Sequence, residues 1–482
     1  MDFTGFISVL TFSGPMIGSL LVFFFRKNLI SSSVSLISIF IAFLCTLLCS
    51  FELGKSGQYV IVPLNGFYID GLSILMQFMA EIVAFFGILY SIKELLKLYE
   101  HRKKNFYLFY CAILLSTGFM NLSFMLNNLF LVYISLELSS IVAVYLITFN
   151  LSKEALKAGF RYLLIVNIGI LFSLVGIVLL FYATEGNVLI ADMGQNVREL
   201  SKIMAFICAG LFIVGFFTKA GLIPFHTWLP DTYSQAPTAV TVFLSGGITK
   251  IGLYGVTRTL TVFSSHLEEI KLLVILLSSV SMLFAAILSF SQKDVKKLIA
   301  YTSISEMGII AGAFAINSYL SIFGGLFHLL NHTLMKATLF FSIGALIYIK
   351  GTKIIDELKG IGRENTSTAT SFFIGALAVG GLPLFGSFYS SVTIFLAFYQ
   401  SNMPWTSVLL ALSGFISALA LLRAATKVFW SNAHPQISLH VPLTLKFCFL
   451  FFSFSLILVG IFPQTVYPLL HIAAMGILKI VN

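Results

Sequence analysis

The stretch Gly215-Phe-Phe-Thr-Lys219-Ala-Gly-Leu-Ile-Pro224-Phe-His226-Thr-Trp-Leu-Pro230 places a lysine inside an apolar run long enough to cross a bilayer. Gly221 and Pro224 then interrupt the helix. A charge at that depth costs about 3 kcal/mol or more, so it persists where it faces protein or water. Irregular backbone in the hydrocarbon region is likewise confined to sites buried in protein or lining a wet cavity. A buried lysine beside a helix break is suited to a proton or ion path and poorly suited to a lipid anchor.

The rest of the chain agrees with that reading. Its 482 residues are 58% hydrophobic and 10% charged, against about 25% charged in ordinary soluble domains. The mean hydropathy is +0.99. This composition excludes a soluble globular protein and predicts an all-α polytopic membrane protein embedded in a lipid bilayer. The net charge of +10 belongs to short loops, where Lys and Arg orient spans, and does not indicate nucleic acid. Cys45, Cys49, Cys111, Cys208 and Cys448 lie within apolar runs without metal-ligand spacing and read as packing residues. Asp2 precedes the first apolar run and Arg26-Lys27 follow it, the reverse of a secretory signal.

Apolar runs of spanning length number about fourteen. They fall near 5–25, 30–51, 70–92, 106–124, 126–149, 159–183, 201–219 (with a broken continuation to 233), 237–260, 270–290, 296–315, 319–348, 367–399, 404–428 and 443–468. Basic residues gather in alternate loops: Arg26-Lys27; Lys97 and Arg102 to Lys104; Lys153 and Lys157; Lys293, Lys296 and Lys297; Lys350, Lys353, Lys359 and Arg363; Arg423 and Lys427. The positive-inside rule then places both termini outside. A short outer hairpin is expected over 52–68. No loop is long enough for a soluble domain, so a redox centre or nucleotide site would belong to another subunit, and no cofactor or metal is expected in this chain. Ala220-Gly-Leu-Ile-Pro224-Phe225 is echoed by Gly380-Gly-Leu-Pro383-Leu-Phe385, with Gly381 and Pro383 as the second break. Paired broken helices point to a repeat-built transporter.

Ionisable residues recur inside these runs. Glu137, in Tyr133-Ile-Ser-Leu-Glu137, is either a packing peg bonded to Ser135 or Ser139 or the ion partner of a lysine elsewhere. Burial disfavours a charged group and a nearby opposite charge favours it, so a Glu–Lys pair that opens and closes can move protons. Lys219 is the leading titrating amine. Lys250 follows in the next span, with snorkelling to an interface as its alternative. His328, His332 and Lys336 share one helix face at four-residue spacing. The lysine and the lack of acids on that face argue against zinc; a hydrated polar stripe fits better. Glu306 is a candidate counter-charge to that stripe. Asp70, Glu81, Arg161 and Arg258 read as interface or capping residues, and Asp231 as a group orienting the broken seventh helix.

These residues, in this order, resemble the antiporter-like subunits shared by respiratory complex I, membrane-bound hydrogenases and Mrp sodium/proton antiporters. The resemblance is carried by Lys219-Ala-Gly-Leu-Ile-Pro-Phe-His-Thr-Trp-Leu-Pro-Asp-Thr-Tyr-Ser-Gln-Ala-Pro, Leu244-Ser-Gly-Gly-Ile-Thr-Lys250, Leu298-Ile-Ala-Tyr-Thr-Ser and His328-Leu-Leu-Asn-His332-Thr-Leu-Met-Lys336. It covers about residues 70–430 and is most like the D-type Mrp subunit or its hydrogenase relatives. It implies fourteen helices built around two inverted five-helix repeats, with helices seven and twelve broken. The implied partition is 1–105, a three-helix segment; 106–262 and 263–430, the two repeats; and 431–482, helix 14, without a long lateral helix. Glu137 matches the family's fifth-helix glutamate, Lys219 the seventh-helix lysine, Lys250 the eighth-helix bridging lysine, and His332 the eleventh-helix bridge.

Two departures stand out. Ser391 occupies the position where the family's twelfth helix carries a lysine or glutamate, and Glu306 stands where glutamine is usual. The expected role is a membrane subunit of a multi-subunit cation/proton antiporter in a prokaryotic cell membrane, with other membrane subunits, protons and Na⁺ as partners. The alternatives are the ion-pumping arm of a hydrogenase, sulfur reductase or NADH–quinone oxidoreductase, and a non-conducting scaffold.

Overall fold

The computed structural model describes residues 3–56, 60–61, 66–360, 365–431 and 440–481; Arg363 and part of the expected outer hairpin lie outside them. Among the described residues, thirteen helices are long and apolar enough to cross a membrane. The first six are Phe3–Phe25, Asn28–Ser56, Gly71–Leu98, Phe106–Met125, Leu129–Ile147 and Lys153–Ala183. The seventh span is Lys202–Ala220 with its continuation Leu229–Gln235. The eighth runs from Thr238 to Val262, and Leu267–Phe290, Val295–Ile316 and Tyr319–Lys350 follow. The twelfth is two half-helices, Thr366–Val379 and Gly386–Gln400, each too short alone. Pro404–Phe429 and Leu443–Ile461 complete fourteen crossings.

The C-terminal segment 431–482, expected to hold one helix, holds two α-helices among its described residues. Phe462-Pro463 ends the fourteenth span, and Tyr467–Val481 follows, packed on the third and eleventh spans. A short helix, Ile190–Arg198, joins spans six and seven. The outer hairpin pairs Val60–Ile61 with Ile69–Asp70 in antiparallel register, so it extends two residues beyond its expected end.

Both breaks are built alike. Gly221 (φ 71°) and Gly381 (φ 63°) adopt the left-handed conformation in which a side chain is disfavoured. At the first, the amides of Gly221, Leu222 and Phe225 donate to the carbonyls of Thr218, Phe217 and Leu222. At the second, Gly381, Leu382 and Phe385 donate to Ala378, Leu377 and Leu382. The sequence echo is thus an echo of hydrogen bonding as well, which satisfies carbonyls left open at a helix end.

Every residue from Thr238 to Val262 is buried, so the eighth span has no lipid-facing side. It packs on the third, seventh, tenth and eleventh spans, and its backbone opens into a π-helical turn at Leu244–Ile248. A Cβ on Gly252 would lie 2.3 Å from the Ala220 nitrogen, so only glycine lets the eighth span rest against the seventh-span break.

A chain of buried ionisable residues

The broken seventh helix ends its first half at Lys219-Ala220, which sets the lysine in the last turn, where open carbonyls favour a cation. Lys219 is fully buried and donates to the Ser140 hydroxyl on the fifth span. Trp228, on the returning segment, donates its Nε1–H to the Thr218 carbonyl at 3.0 Å and closes the break. Glu137, one turn before Ser140, is half-buried, with an enclosed Oε1 that has no partner. Glu137 and Lys219 act on one another electrostatically without forming an ion pair among the described residues. Glu137 and Lys219 thus lie near one another with Lys219 bonded to Ser140 instead of to the carboxylate.

Lys250 is 1% exposed and well inside the eighth span, so the snorkelling alternative does not hold. Its Nζ lies 2.5 Å from His332 Nδ1. An ammonium has no acceptor capacity, so a charged Lys250 requires His332 to accept on Nδ1 and to carry its own proton on Nε2. That Nε2 is buried and makes no well-formed hydrogen bond among the described residues.

The three polar residues of the eleventh span share a face but reach different helices. His332 meets the eighth span, while Lys336 donates to Thr302 Oγ1 on the tenth at 2.8 Å. His328 uses both ring nitrogens: Nε2 lies 2.6 Å from Glu306 Oε2, and Nδ1 lies 3.0 Å from Ser390 Oγ on the twelfth span. Glu306 also acts on Lys336 and Lys250 at longer range. A cavity of about 350 Å³ opens at the second break, lined by Glu306, His328, Gly380, Gly381, Phe388 and Ser391. Ser391, at the position without a charge, thus shares a cavity with the acid the tenth span supplies.

Several buried ionisable residues escaped the sequence reading or were misjudged by it. Asp70 caps the third span through Ser73, as a capping role implies, but it also receives a two-pronged bond from Arg258 at 2.7 and 2.8 Å. Arg258 is therefore a buried ion-pair partner, not an interface residue. Glu94 accepts from the amides of Thr238 and Ala239 at 2.6 and 3.0 Å and caps the eighth span. Lys296, read as a loop charge, is buried and donates to the Ala236 carbonyl at 2.8 Å. Asp231, part-exposed and read from the sequence as orienting the broken helix, binds both Arg161 and Lys297 there. Glu81 is completely buried inside the third span, far from an interface. Sequence spacing gave no cue for these contacts, since their partners lie many residues away.

The family model for NADH:quinone oxidoreductase/Mrp antiporter transmembrane subunits matches residues 126–417, the stretch that carries both breaks and the ionisable residues from Glu137 to Lys336. The chain belongs to that family. Among its relatives, a hydrogenase-4 component F homolog of Methylacidiphilum infernorum is 29% identical over 91% of this chain and 94% of its own length. The D-type Na⁺/H⁺ antiporter subunit of Alkalihalophilus pseudofirmus is 28% identical over 75% of this chain and 73% of its own. Among solved structures, a chain of the membrane-bound sulfane sulfur reductase, an archaeal respiratory membrane complex, superposes with a TM-score of 0.90 at 25% identity, covering 98% of this chain and 99% of that one. The protein is an antiporter-like membrane subunit.

Proposed function

We propose that this chain is a proton-translocating membrane subunit of a multi-subunit cation/proton antiporter, working with other membrane subunits and exchanging protons for Na⁺. The observation that carries this reading is the succession of ionisable groups from half-buried Glu137 through buried Lys219, Lys250–His332 and Lys336 to Glu306–His328, which runs from the fifth span to the cavity at the twelfth. Each group changes protonation in response to the charge of its neighbour, so a proton arriving at one end displaces one at the other. The units 106–262 and 263–430 each contribute one break, at Gly221 and Pro224 and at Gly381 and Pro383. Glu306 supplies in the second unit the acid–base capacity that Ser391 lacks, which weighs against a non-conducting scaffold. Both termini face the outside of a prokaryotic cell membrane.

A second reading, the ion-pumping arm of a redox complex, is favoured by the length of the matches to the hydrogenase component and the sulfur reductase chain. Redox cofactors would then sit on other subunits. Purification of the native complex, with iron and flavin analysis, separates the two. A metal-free set of membrane proteins whose vesicles acidify or alkalinise on a Na⁺ jump supports the antiporter. Iron-containing hydrophilic subunits overturn it in favour of the redox arm.

A further inference from the structure

A second polar centre lies apart from this chain of charges, between the first four spans. Glu81 on the third span is 0% exposed. Its Oε1 accepts from Thr46 Oγ1 on the second span at 2.9 Å and from Asn121 Nδ2 on the fourth at 2.8 Å. Asn121 Nδ2 also donates to the Thr11 carbonyl on the first span at 2.8 Å. Gln77, one turn before Glu81, donates weakly to Thr11 Oγ1 and to the Asn121 carbonyl, at 3.4 and 3.3 Å. Two oxygens in this centre, Glu81 Oε2 and Asn121 Oδ1, are buried without a partner.

The charge balance of the site is unusual. Both donors to Glu81 are neutral, and no basic side chain is among the groups acting on it. The titratable side chains within its reach are Cys45 and Cys49 of the second span, which are uncharged thiols. A bare carboxylate cannot be held at such a position, so its charge is neutralised by a proton or by a bound cation. The oxygens assembled from four helices are carboxylate, amide and hydroxyl, the donors that hard cations take. Thr46 and Asn121 turn hydrogens toward Glu81 Oε1, which leaves Glu81 Oε2 and Asn121 Oδ1 as the oxygen lone pairs open to a cation. We infer that Glu81, Asn121, Thr46 and Thr11 form a monovalent-cation site, in which Glu81 holds a proton in one state and exchanges it for Na⁺ in the other.

The site adjoins the chain of charges mechanically. A Cβ on Gly246 would meet Val83 at 2.5 Å, so the π-turn of the eighth span, shortly before Lys250, rests on the third span at the level of Glu81 but on its opposite face. Thr333 of the eleventh span reaches Met79 at 3.3 Å on the same side. Exchange at Glu81 therefore occurs where a small movement of the third span bears on the turn that positions Lys250. The site gives the exchanged cation a place, and in that respect rests on the antiporter reading, but binding at Glu81 does not require the proton path to conduct.

The test is infrared difference spectroscopy on the purified complex as NaCl replaces choline chloride, in wild type and in the Glu81→Gln, Thr46→Val and Lys219→Ala variants. A protonated-carboxyl band should vanish with Na⁺ in wild type and in Lys219→Ala, and be absent from Glu81→Gln. Thr46→Val, which leaves the carboxyl in place, should need about tenfold more Na⁺ for the same change. A Na⁺-sensitive band that survives Glu81→Gln, or wild-type spectra that do not respond to Na⁺, overturns the site. Loss of proton flux in Lys219→Ala with its Na⁺ band intact would keep the two proposals separate.

Discussion

Lys219 and Glu306 are both buried, and the proposed proton path rests on how few charged groups touch them. Lys219 is held by a neutral hydroxyl while Glu137 acts on it without contact. Glu306 contacts His328 through one oxygen and leaves the other open. At this scale the sequence was informative, because a charged letter inside an apolar run has few explanations. Glu137, Lys219, Lys250 and the His–Lys stripe could be picked out from one chain. Glu81 was read as an interface or capping residue, since what sets it apart, neutral partners on two other helices, shows only in space. Glu306 and Ser391 line one cavity, and the proposed path gives the proton transfer there to Glu306. Glu306→Ala should reduce proton flux by about 100-fold, the usual contribution of a positioned acid or base, whereas Ser391→Ala should leave it within a few-fold of wild type. Dye-quench assays on reconstituted vesicles measure both; equal losses in the two variants would refute the assignment.

The broken helices depend on contacts that are less visible than their Gly and Pro residues. Gly221 and Gly381 were legible as breaks because they sit close to proline in otherwise apolar runs. The fit of the eighth span against the first break was not, since Gly252 matters only through the Ala220 backbone lying 2.3 Å from where its Cβ would be. Gly252→Val should therefore abolish stable assembly, seen as loss of a monodisperse peak in detergent chromatography, while Gly210→Val, where a Cβ meets nothing, should be tolerated. The Asp70–Arg258 pair links the outer hairpin and third span to the eighth span, with both members buried. Asp70→Asn leaves a buried guanidinium short of its charge partner and should destabilise the fold by about 3–5 kcal/mol. A thermal-unfolding midpoint unchanged in detergent would contradict that expectation.

For the whole molecule, composition alone set the class, and the run lengths gave the count of crossings, because a bilayer fixes how long an apolar helix must be. The C-terminal helix Tyr467–Val481 was merged with the span before it, since Pro463 interrupts an apolar stretch without a change of composition. The orientation rests on loop charge, and it makes a topological prediction that the native cysteines, all buried, do not obscure. In intact cells an impermeant maleimide should label Asn402→Cys from outside and reach Lys104→Cys only after permeabilisation. The reverse pattern would invert the topology.

If the buried charges of this chain are the route protons take, flux must depend on the lysine at the first break. Proton flux across vesicles containing the whole complex, with Lys219→Ala compared against wild type at equal assembled protein, measures that dependence. Flux should fall by at least about 100-fold with subunit composition unchanged; flux equal to wild type would show that protons pass elsewhere and leave the chain a scaffold.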